Sequence, residues 1–166
     1  MSAVGFLLVD ANVLVDYQSG GLGILSLVSQ HVGPVYVVST VLAEVDGLDE
    51  WECERLGLHV VEPTLAQATE AAPPNGRLSF QDRTCVVVCR DNGWTCVSND
   101  KALRRACGGV GVAVRWGLEL MLDLVEGGHL PVETADDAAE RIHRANPVFL
   151  SARILEAFRE KLAALH

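Results

Sequence analysis

The sequence has few basic residues, few aromatic residues and no long apolar run. It carries 13 Lys and Arg residues against 22 Asp and Glu residues, which gives a formal net charge of -9. A protein that grips nucleic acid through a broad basic face normally has the opposite sign of charge. A nucleic-acid partner is therefore compatible with this sequence only if the acidic residues are concentrated in a site that holds cations.

No apolar run approaches the roughly 20 residues of a membrane-spanning helix, and the N-terminus lacks the basic segment that begins a signal peptide. The composition is otherwise that of a folded chain, because 49% of the residues are hydrophobic and 21% are charged. The length of 166 residues suits one domain with a single core. We expect a cytoplasmic protein that makes no membrane contact.

The cysteines are five in number, and none of them belongs to a CxxC pair. They are Cys53, Cys85, Cys89, Cys96 and Cys107. An odd number without paired spacing favours reduced, buried thiols over a disulfide framework or a zinc site. The histidines also lack the short spacings that are typical of metal ligands, so we assign none of them to a metal.

Short apolar and β-branched segments alternate with segments of helical periodicity up to about residue 128. The predicted strands lie at 5–9, 35–39, 58–62, 94–97 and 110–114. Strands that alternate with helices indicate a parallel sheet with right-handed crossovers, so we expect a three-layer α/β/α domain with about five strands. The segment 129–166 breaks the alternation and is predicted to add C-terminal helices to a core of about 4–128, within one domain of 1–166.

Four acidic residues are predicted at one edge of this sheet. Asp10 directly follows the first strand, and Asp100 follows the fourth strand by a few residues. Glu44 is predicted early in the helix after the second strand, which is expected to run to about Cys53. Asp82 is predicted in the first turn of the helix that leads into the fourth strand. Because the first turn of each helix in such a sheet lies where the strands end, the four carboxylates should meet.

Carboxylates that are gathered in this way need a counter charge. Two unit charges about 4 Å apart repel by about 4 kcal/mol at an effective dielectric constant of 20. All-oxygen ligands favour hard cations such as Mg²⁺ or Mn²⁺. One or two such ions would activate a water molecule and stabilise the charge that develops on a phosphodiester. The sequence therefore predicts a divalent-metal site that could serve phosphodiester hydrolysis.

Four short segments carry a resemblance to a known family. They read LVDANV at 8–13, STVLAE at 39–44, LSFQD at 78–82 and VSNDKALR at 97–104. In this order and spacing they resemble the PIN-domain family, which includes the VapC-type toxins of bacterial and archaeal toxin–antitoxin pairs. The resemblance covers about residues 4–116 and implies an Mg²⁺- or Mn²⁺-dependent ribonuclease, usually a homodimer. It further implies RNA as the substrate, products with a 5′-phosphate and a 3′-hydroxyl, and an antitoxin protein as the partner of a type II toxin.

The resemblance assigns roles to the acids. Asp10, Glu44, Asp82 and Asp100 match the acidic quartet of the family and are the expected catalytic and metal-binding residues. Asp10 is expected to be the central metal ligand. Asp82 and Asp100 are expected to complete the ion shells directly or through water, and Glu44 to bind the metal or orient the attacking water.

Two further positions match the family pattern and one departs from it. Asn12 matches the polar residue two positions after the first acid, and Ser98 matches the Thr or Ser two positions before the last acid. Both are expected to hydrogen-bond the metal-binding carboxylates and hold them in place. Ala11 departs from the pattern, because Thr or Ser is common there, and we expect this change to be tolerated.

Basic residues follow the last acid of the quartet and offer a contact for RNA. Lys101, Arg104 and Arg105 would form a phosphate-gripping rim, although the same charges also suit the surface of an exposed helix. The remaining acids near the motifs are predicted to be solvated surface residues. They are Asp16, Asp46, Asp49, Glu50 and Asp91.

Other functions compete with the ribonuclease. A solitary RNA-processing nuclease and a PIN-like domain that binds RNA or protein without catalysis both stay open. A signalling receiver domain is excluded, because its third strand would end in a phosphorylatable Asp where this chain has Glu62-Pro63. A phosphohydrolase of the DxDxT type is excluded because Asn12 stands where the second Asp must be.

Overall fold

The computed structural model describes residues 5–165 and contains a five-stranded parallel sheet. The strands are β1 (Leu7–Val9), β2 (Val35–Val38), β3 (His59–Val61), β4 (Thr95–Val97) and β5 (Val114–Arg115). Their order across the sheet is β3-β2-β1-β4-β5, and every neighbouring pair is parallel. β1 lies at the centre of the sheet. Its three residues are all apolar, which suits this position, and they have no solvent exposure there.

Helices cover both faces of the sheet, which confirms the predicted three-layer α/β/α architecture. In chain order they are α1 (Ala11–Gly20), α2 (Leu22–His31), α3 (Ser39–Leu42), α4 (Glu50–Arg55), α5 (Leu65–Ala71), α6 (Phe80–Asn92), α7 (Lys101–Gly109), α8 (Glu119–Glu126), α9 (Val132–Ala145) and α10 (Ala152–Ala163). Across residues 5–165, no helix combines the length and the apolar character needed to cross a membrane.

The C-terminal helices share the hydrophobic core with the sheet. α9 buries Ala135, Ala138 and Ile142 in the same cluster that contains the apolar residues of β1. It packs so closely against α1 that a Cβ atom on Gly20 would lie 2.9 Å from Cδ1 of Ile142. α1 and α9 are thus in close contact at Gly20, where a side chain would require Ile142 to shift.

The segment after β2 differs from the prediction. We expected one helix that reaches about Cys53, but α3 ends at Leu42 and α4 begins only at Glu50. Gly47 adopts a φ of 77° in the intervening turn, and the side chain of Asp49 starts a new helix by accepting a hydrogen bond from the backbone N–H of Glu52. Glu44 consequently lies in a turn and not in a helix.

The ends of β1 and β4 place two acids on neighbouring strands. Asp10 follows β1 directly, and its backbone N–H donates to the carbonyl oxygen of Val97 at 3.2 Å. Ser98, Asn99 and Asp100 connect β4 to α7. At the carboxyl ends of the two neighbouring strands, Asp10 therefore follows β1 directly and Asp100 follows β4 closely.

Candidate functional site

Asp10 is a buried acid that caps a helix. Its side chain is 3% exposed. The backbone N–H of Val13 donates to Oδ1 at 2.9 Å, so Asp10 is the N-cap of α1. The hydroxyl of Ser98 donates to Oδ2 at 2.5 Å. Both carboxylate oxygens are therefore fixed in direction by the chain before any substrate arrives.

Ser98 joins Asp10 to Asp100. Its side chain is fully buried, and its Oγ atom accepts the backbone N–H of Asp100 at 3.0 Å while its hydroxyl donates to Asp10. Asp100 in turn caps α7, because its Oδ1 accepts the backbone N–H groups of Ala102 and Leu103. Oδ2 of Asp100 takes no part in that cap and remains available for a ligand.

Asp82 belongs to a capping box at the start of α6. Its backbone N–H donates to Ser79 Oγ at 3.0 Å, and its own Oδ2 accepts the backbone N–H of Ser79 at 3.2 Å. Ser79 is thus the N-cap of α6, and Asp82 stands three residues after it in the first turn, as predicted. The negative charge of Asp82 raises the pKa of Asp10, so the two carboxylates lie close enough to repel.

Burial raises the pKa of Asp10 from 3.8 to about 6. The hydrogen bonds from Ser98 and Val13 oppose this rise, because they favour the ionised form. The charges of Asp82 and Asp16 add to the rise. No basic side chain is among these influences, and the carboxylate of Asp10 therefore lacks a positive partner within residues 5–165 to offset its burial.

Asp16 is also buried, which corrects the prediction that it is a solvated surface acid. It is 5% exposed, and burial raises its pKa. Asn99 donates to its Oδ2 at 3.2 Å and Asn146 donates to its Oδ1 at 3.3 Å. Asn99 also accepts the backbone N–H of Gly117 at 3.0 Å. This network ties the connection between β4 and α7, and with it Asp100, to α1 and to the end of α9.

The sequence contains a signal for the burial of Asp16 that the prediction above overlooks. Asp16 lies three residues after Val13 and four residues before Gly20, and both of these positions are buried on α1. Helical periodicity places all three on one face. A polar residue on a buried face calls for hydrogen-bond partners, but the sequence does not reveal that Asn99 and Asn146 supply them.

Two predicted site residues stand apart from this group. Glu44 has an exposed side chain on the turn after α3, and it is not among the groups that shift the pKa of Asp10. Asn12 has an exposed side chain in the first turn of α1, and the hydrogen bond expected from it to a site carboxylate is not formed. Ser98 links Asp10 to Asp100 by hydrogen bonds, the charge of Asp82 acts on Asp10, and Asn99 adds Asp16.

The donor chemistry of this group suits a hydrated hard cation. Within residues 5–165, no three His, Cys, Asp or Glu side chains converge in a ready-made metal site. Mg²⁺ does not demand one, because it usually keeps several waters and binds through one or two carboxylates together with substrate phosphates. Asp10 and Asp82 repel each other, and Asp100 has a carboxylate oxygen outside its cap. The oxygen-only donor set is thus compatible with Mg²⁺ or Mn²⁺.

The predicted basic rim divides into two parts. The guanidinium of Arg104 lies 3.6 Å from the centre of the Trp116 ring and donates to the backbone carbonyl of Ser98 at 3.0 Å. Arg104 therefore supports the connection that carries Asp100, and burial lowers its pKa. Lys101 and Arg105 are exposed on α7 and line a groove that also includes Asp100.

The cysteines are buried and unpaired. All five lie inside the domain as free thiols, in agreement with the expectation of reduced cysteines. Burial raises the pKa of Cys85 well above its usual value. Cys96 lies close enough to Cys89 and Cys107 for thiol hydrogen bonds that shift its pKa. The raised pKa values of Cys85 and Cys96 keep these two thiols protonated at neutral pH.

The class of the domain follows from the sheet and its edge. Five parallel strands in the order β3-β2-β1-β4-β5, with acids after β1 and β4, form a PIN-type α/β/α fold. No protein-family model matches the sequence, and no curated protein matches it. Among solved structures, the fold is similar to that of a PilT N-terminus domain protein from the hyperthermophilic archaeon Sulfolobus solfataricus P2. The TM-score is 0.52 at 16% identity, over 71% of this chain and 92% of that chain.

This likeness confirms the fold that the four sequence segments imply. At 16% identity it concerns the fold alone, and the more specific resemblance to VapC-type toxins stays a prediction. The activity has to be argued from the site.

Proposed function

We propose that this protein is a metal-dependent endoribonuclease that hydrolyses phosphodiester bonds at the edge where β1 and β4 end. The observation that carries the proposal is the burial of Asp10 beside Asp82, with no basic side chain among the groups that set its pKa. Such a site gains its positive charge from solution. Oxygen donors select a hard divalent cation for this purpose, and the cofactor is therefore one or two Mg²⁺ or Mn²⁺ ions.

A bound cation of this kind supplies a Lewis acid and a more acidic water molecule. The chain supplies orientation. Ser98 and the Val13 N–H aim the two oxygens of Asp10, and the cap of α7 holds Asp100 by Oδ1 and leaves its Oδ2 outside the cap. Asp82 is held by Ser79 through Oδ2, which leaves its Oδ1 outside the capping box. Glu44 is the fourth acid of the proposed site, and its exposed side chain would reach the substrate from the turn after α3.

The proposal extends to partners through the family resemblance. A type II toxin would form a homodimer and would be held inactive by an antitoxin protein. The net charge of -9 would suit a basic antitoxin segment. A solitary RNA-processing nuclease has the same site without such a partner. Co-expression with a small protein encoded next to this one, followed by a cleavage assay, separates these two forms of the proposal.

Cleavage of labelled RNA tests the function directly. The purified protein is incubated with a panel of single-stranded and hairpin RNAs in Mn²⁺, in Mg²⁺ and in EDTA. Metal-dependent cleavage that disappears in Asp10→Asn is the expected result. Asp137→Asn, an exposed acid on α9, is the matched control and should cleave like the wild type. Cleavage that persists in EDTA or in Asp10→Asn would overturn the proposal.

A non-catalytic binding domain is the second candidate. The observation that favours it is the lack of three converged ligands within the part of the chain that the structure describes. Isothermal titration with Mn²⁺ addresses this candidate. If neither Mn²⁺ binding nor cleavage is detected while RNA still binds, the domain is an RNA-binding module on a PIN-type fold.

A further inference from the structure

A groove of about 790 Å³ begins at the acidic edge and continues between α7, α8 and α10. Asp100 and Asn99 line it, and so does the loop between α9 and α10. The groove therefore shares Asp100 with the proposed hydrolytic site. It also includes α10, which the four sequence segments of the site do not reach.

Free positive charge is concentrated in this groove. Most Lys and Arg side chains form ion pairs or donate to backbone carbonyls, as Arg83 and Arg141 do. Within residues 5–165, those that have neither kind of partner are Arg77, Lys101, Arg105, Arg153 and Lys161. All of these except Arg153 line the groove. In a chain with a net charge of -9, this distribution is complementary to a polyanion.

Exposed apolar side chains lie in the same groove. Phe149 is 62% exposed and Val148 is 83% exposed in the loop between α9 and α10. The loop is anchored, because Leu150 is buried and its carbonyl oxygen is hydrogen-bonded to Nδ1 of His143 at 2.6 Å. Trp116 presents a further ring, supported by Arg104. Proteins bind single-stranded nucleic acid by stacking its bases on exposed aromatic rings and by holding its phosphates with basic side chains, and this groove contains both.

We propose that this groove binds an unpaired RNA strand. Bases stack on Phe149, and phosphates are held by Lys101, Arg105 and Lys161. A duplex does not fit this role because its bases are already stacked on one another and are not free to reach Phe149. The inference deepens the proposed ribonuclease and rests on it, since Asp100, which the groove shares with the proposed site, is what favours a phosphodiester strand over an acidic peptide.

Binding in the absence of metal tests the groove separately from catalysis. Fluorescence anisotropy in EDTA measures the affinity of a labelled 12-nucleotide oligouridylate. Phe149→Ala should weaken binding by about 5- to 100-fold, because stacking on an aromatic ring contributes that much per base. Phe149→Tyr should retain the wild-type affinity within about twofold, since the ring remains. Trp51→Ala removes a ring that is 68% exposed outside the groove and should leave the affinity unchanged.

The salt dependence tests the basic side chains. Lys161→Gln and Arg105→Gln should each reduce the slope of log affinity against log salt by about 0.7, the value for one phosphate contact on a single strand. Arg153→Gln, on the same helix as Lys161 but outside the groove, should leave the slope unchanged. The wild type should bind the oligouridylate more tightly than its duplex with oligoadenylate or an abasic strand of equal length.

Equal binding by wild type and Phe149→Ala would overturn the inference, as would a preference for the duplex. Binding of an acidic amphipathic peptide with no binding of the oligouridylate would assign the groove to a protein partner and overturn it as well. If RNA is cleaved but Phe149→Ala does not affect binding, the proposed ribonuclease activity is supported and the proposed RNA-binding groove is refuted. Binding that depends on Phe149, without metal-dependent cleavage, would support the groove as an RNA-binding site and refute the ribonuclease.

Discussion

Ser98 Oγ lies 2.5 Å from Asp10 Oδ2 and accepts the backbone N–H of Asp100 at 3.0 Å. One buried hydroxyl thus connects the acids that follow two neighbouring strands. The short contact is typical of a hydroxyl that donates to an ionised carboxylate. Because Ser98 is fully buried, no water replaces it easily if it is removed. The position of the two acids therefore depends on a side chain that would not itself contact substrate.

Ser98→Ala should raise the pKa of Asp10 further, because it removes a hydrogen bond that favours the ionised form. We expect the rise in activity with pH to move to higher pH and the maximum rate to fall by about 10- to 100-fold. The free energy of unfolding should fall by about 1–3 kcal/mol. Ser98→Thr keeps the hydroxyl and should restore the pH profile. An unchanged profile in Ser98→Ala would show that the hydroxyl does not tune Asp10.

Asp10→Asn should stabilise the metal-free protein at neutral pH although it abolishes activity. The pKa of Asp10 is raised in the folded state from 3.8 to about 6, so the folded protein binds the proton more tightly than the unfolded chain does. Stability from this group is present below about pH 4 and is lost as the pH rises to about 6. The loss is about 3 kcal/mol at 1.36 kcal/mol per unit of pKa.

Urea unfolding in EDTA at about pH 4 and about pH 7.5 measures this effect. The difference in unfolding free energy between Asp10→Asn and wild type should be near zero or negative at the lower pH and positive by about 1–3 kcal/mol at the higher one. Other titrating groups cancel in this difference. A mutant that is less stable than wild type at both pH values contradicts the assignment of Asp10 as a buried, uncompensated charge.

Divalent metal should stabilise the wild-type protein. Mn²⁺ at 100 times its dissociation constant should add about 2.7 kcal/mol to the free energy of unfolding. Asp10→Asn should show no such gain, and Asp137→Asn should gain as much as the wild type, because Asp137 is exposed on α9. Thermal unfolding with and without EDTA measures the gain. Equal stabilisation of Asp10→Asn and wild type would place the metal elsewhere.

Asp16→Ala should impair the site without touching substrate. The change leaves Asn99 and Asn146 without a shared acceptor. We expect a loss of about 1–3 kcal/mol in stability, because two half-buried amide donors lose their acceptor. Activity should fall through displacement of Asn99 and its neighbour Asp100, mainly as a lower kcat with a smaller change in KM. A stability loss with unchanged kcat would confine Asp16 to a structural role.

Strands β1 to β4 and the start of α6 were predictable because their signals are local, whereas β5 (Val114–Arg115) begins where the predicted strand 110–114 ends. β1 and β2 are short apolar segments of strand type, and the Ser79–Asp82 pair is a capping pattern that can be read directly from the sequence. Asp10 was predictable for the same reason, since it ends an apolar strand abruptly. These features depend on residues that are no more than a few positions apart.

The parts that were mispredicted depend on distant contacts or on a missed turn. The burial of Asp16 requires Asn146, which lies 130 residues away. The groove requires α10 and the loop at Phe149 to pack beside α7, and no local pattern encodes that arrangement. The exposed turn at Glu44 had a local signal in Asp46-Gly47, which favours a turn and which the prediction of one helix to about Cys53 overlooked.

The contact between Gly20 and Ile142 has a consequence for the evolution of this chain. α1 begins at the residue after Asp10 and, about 15 Å further along, ends against α9. Asp10, a proposed catalytic residue, and the contact with α9 thus lie at opposite ends of the short helix α1. An insertion or truncation that displaces α9 is therefore expected to disturb the packing of α1, the helix that Asp10 caps. The outer surface of the C-terminal helices is free to vary in sequence. The residues of α9 that face Gly20 are constrained by the close contact with α1.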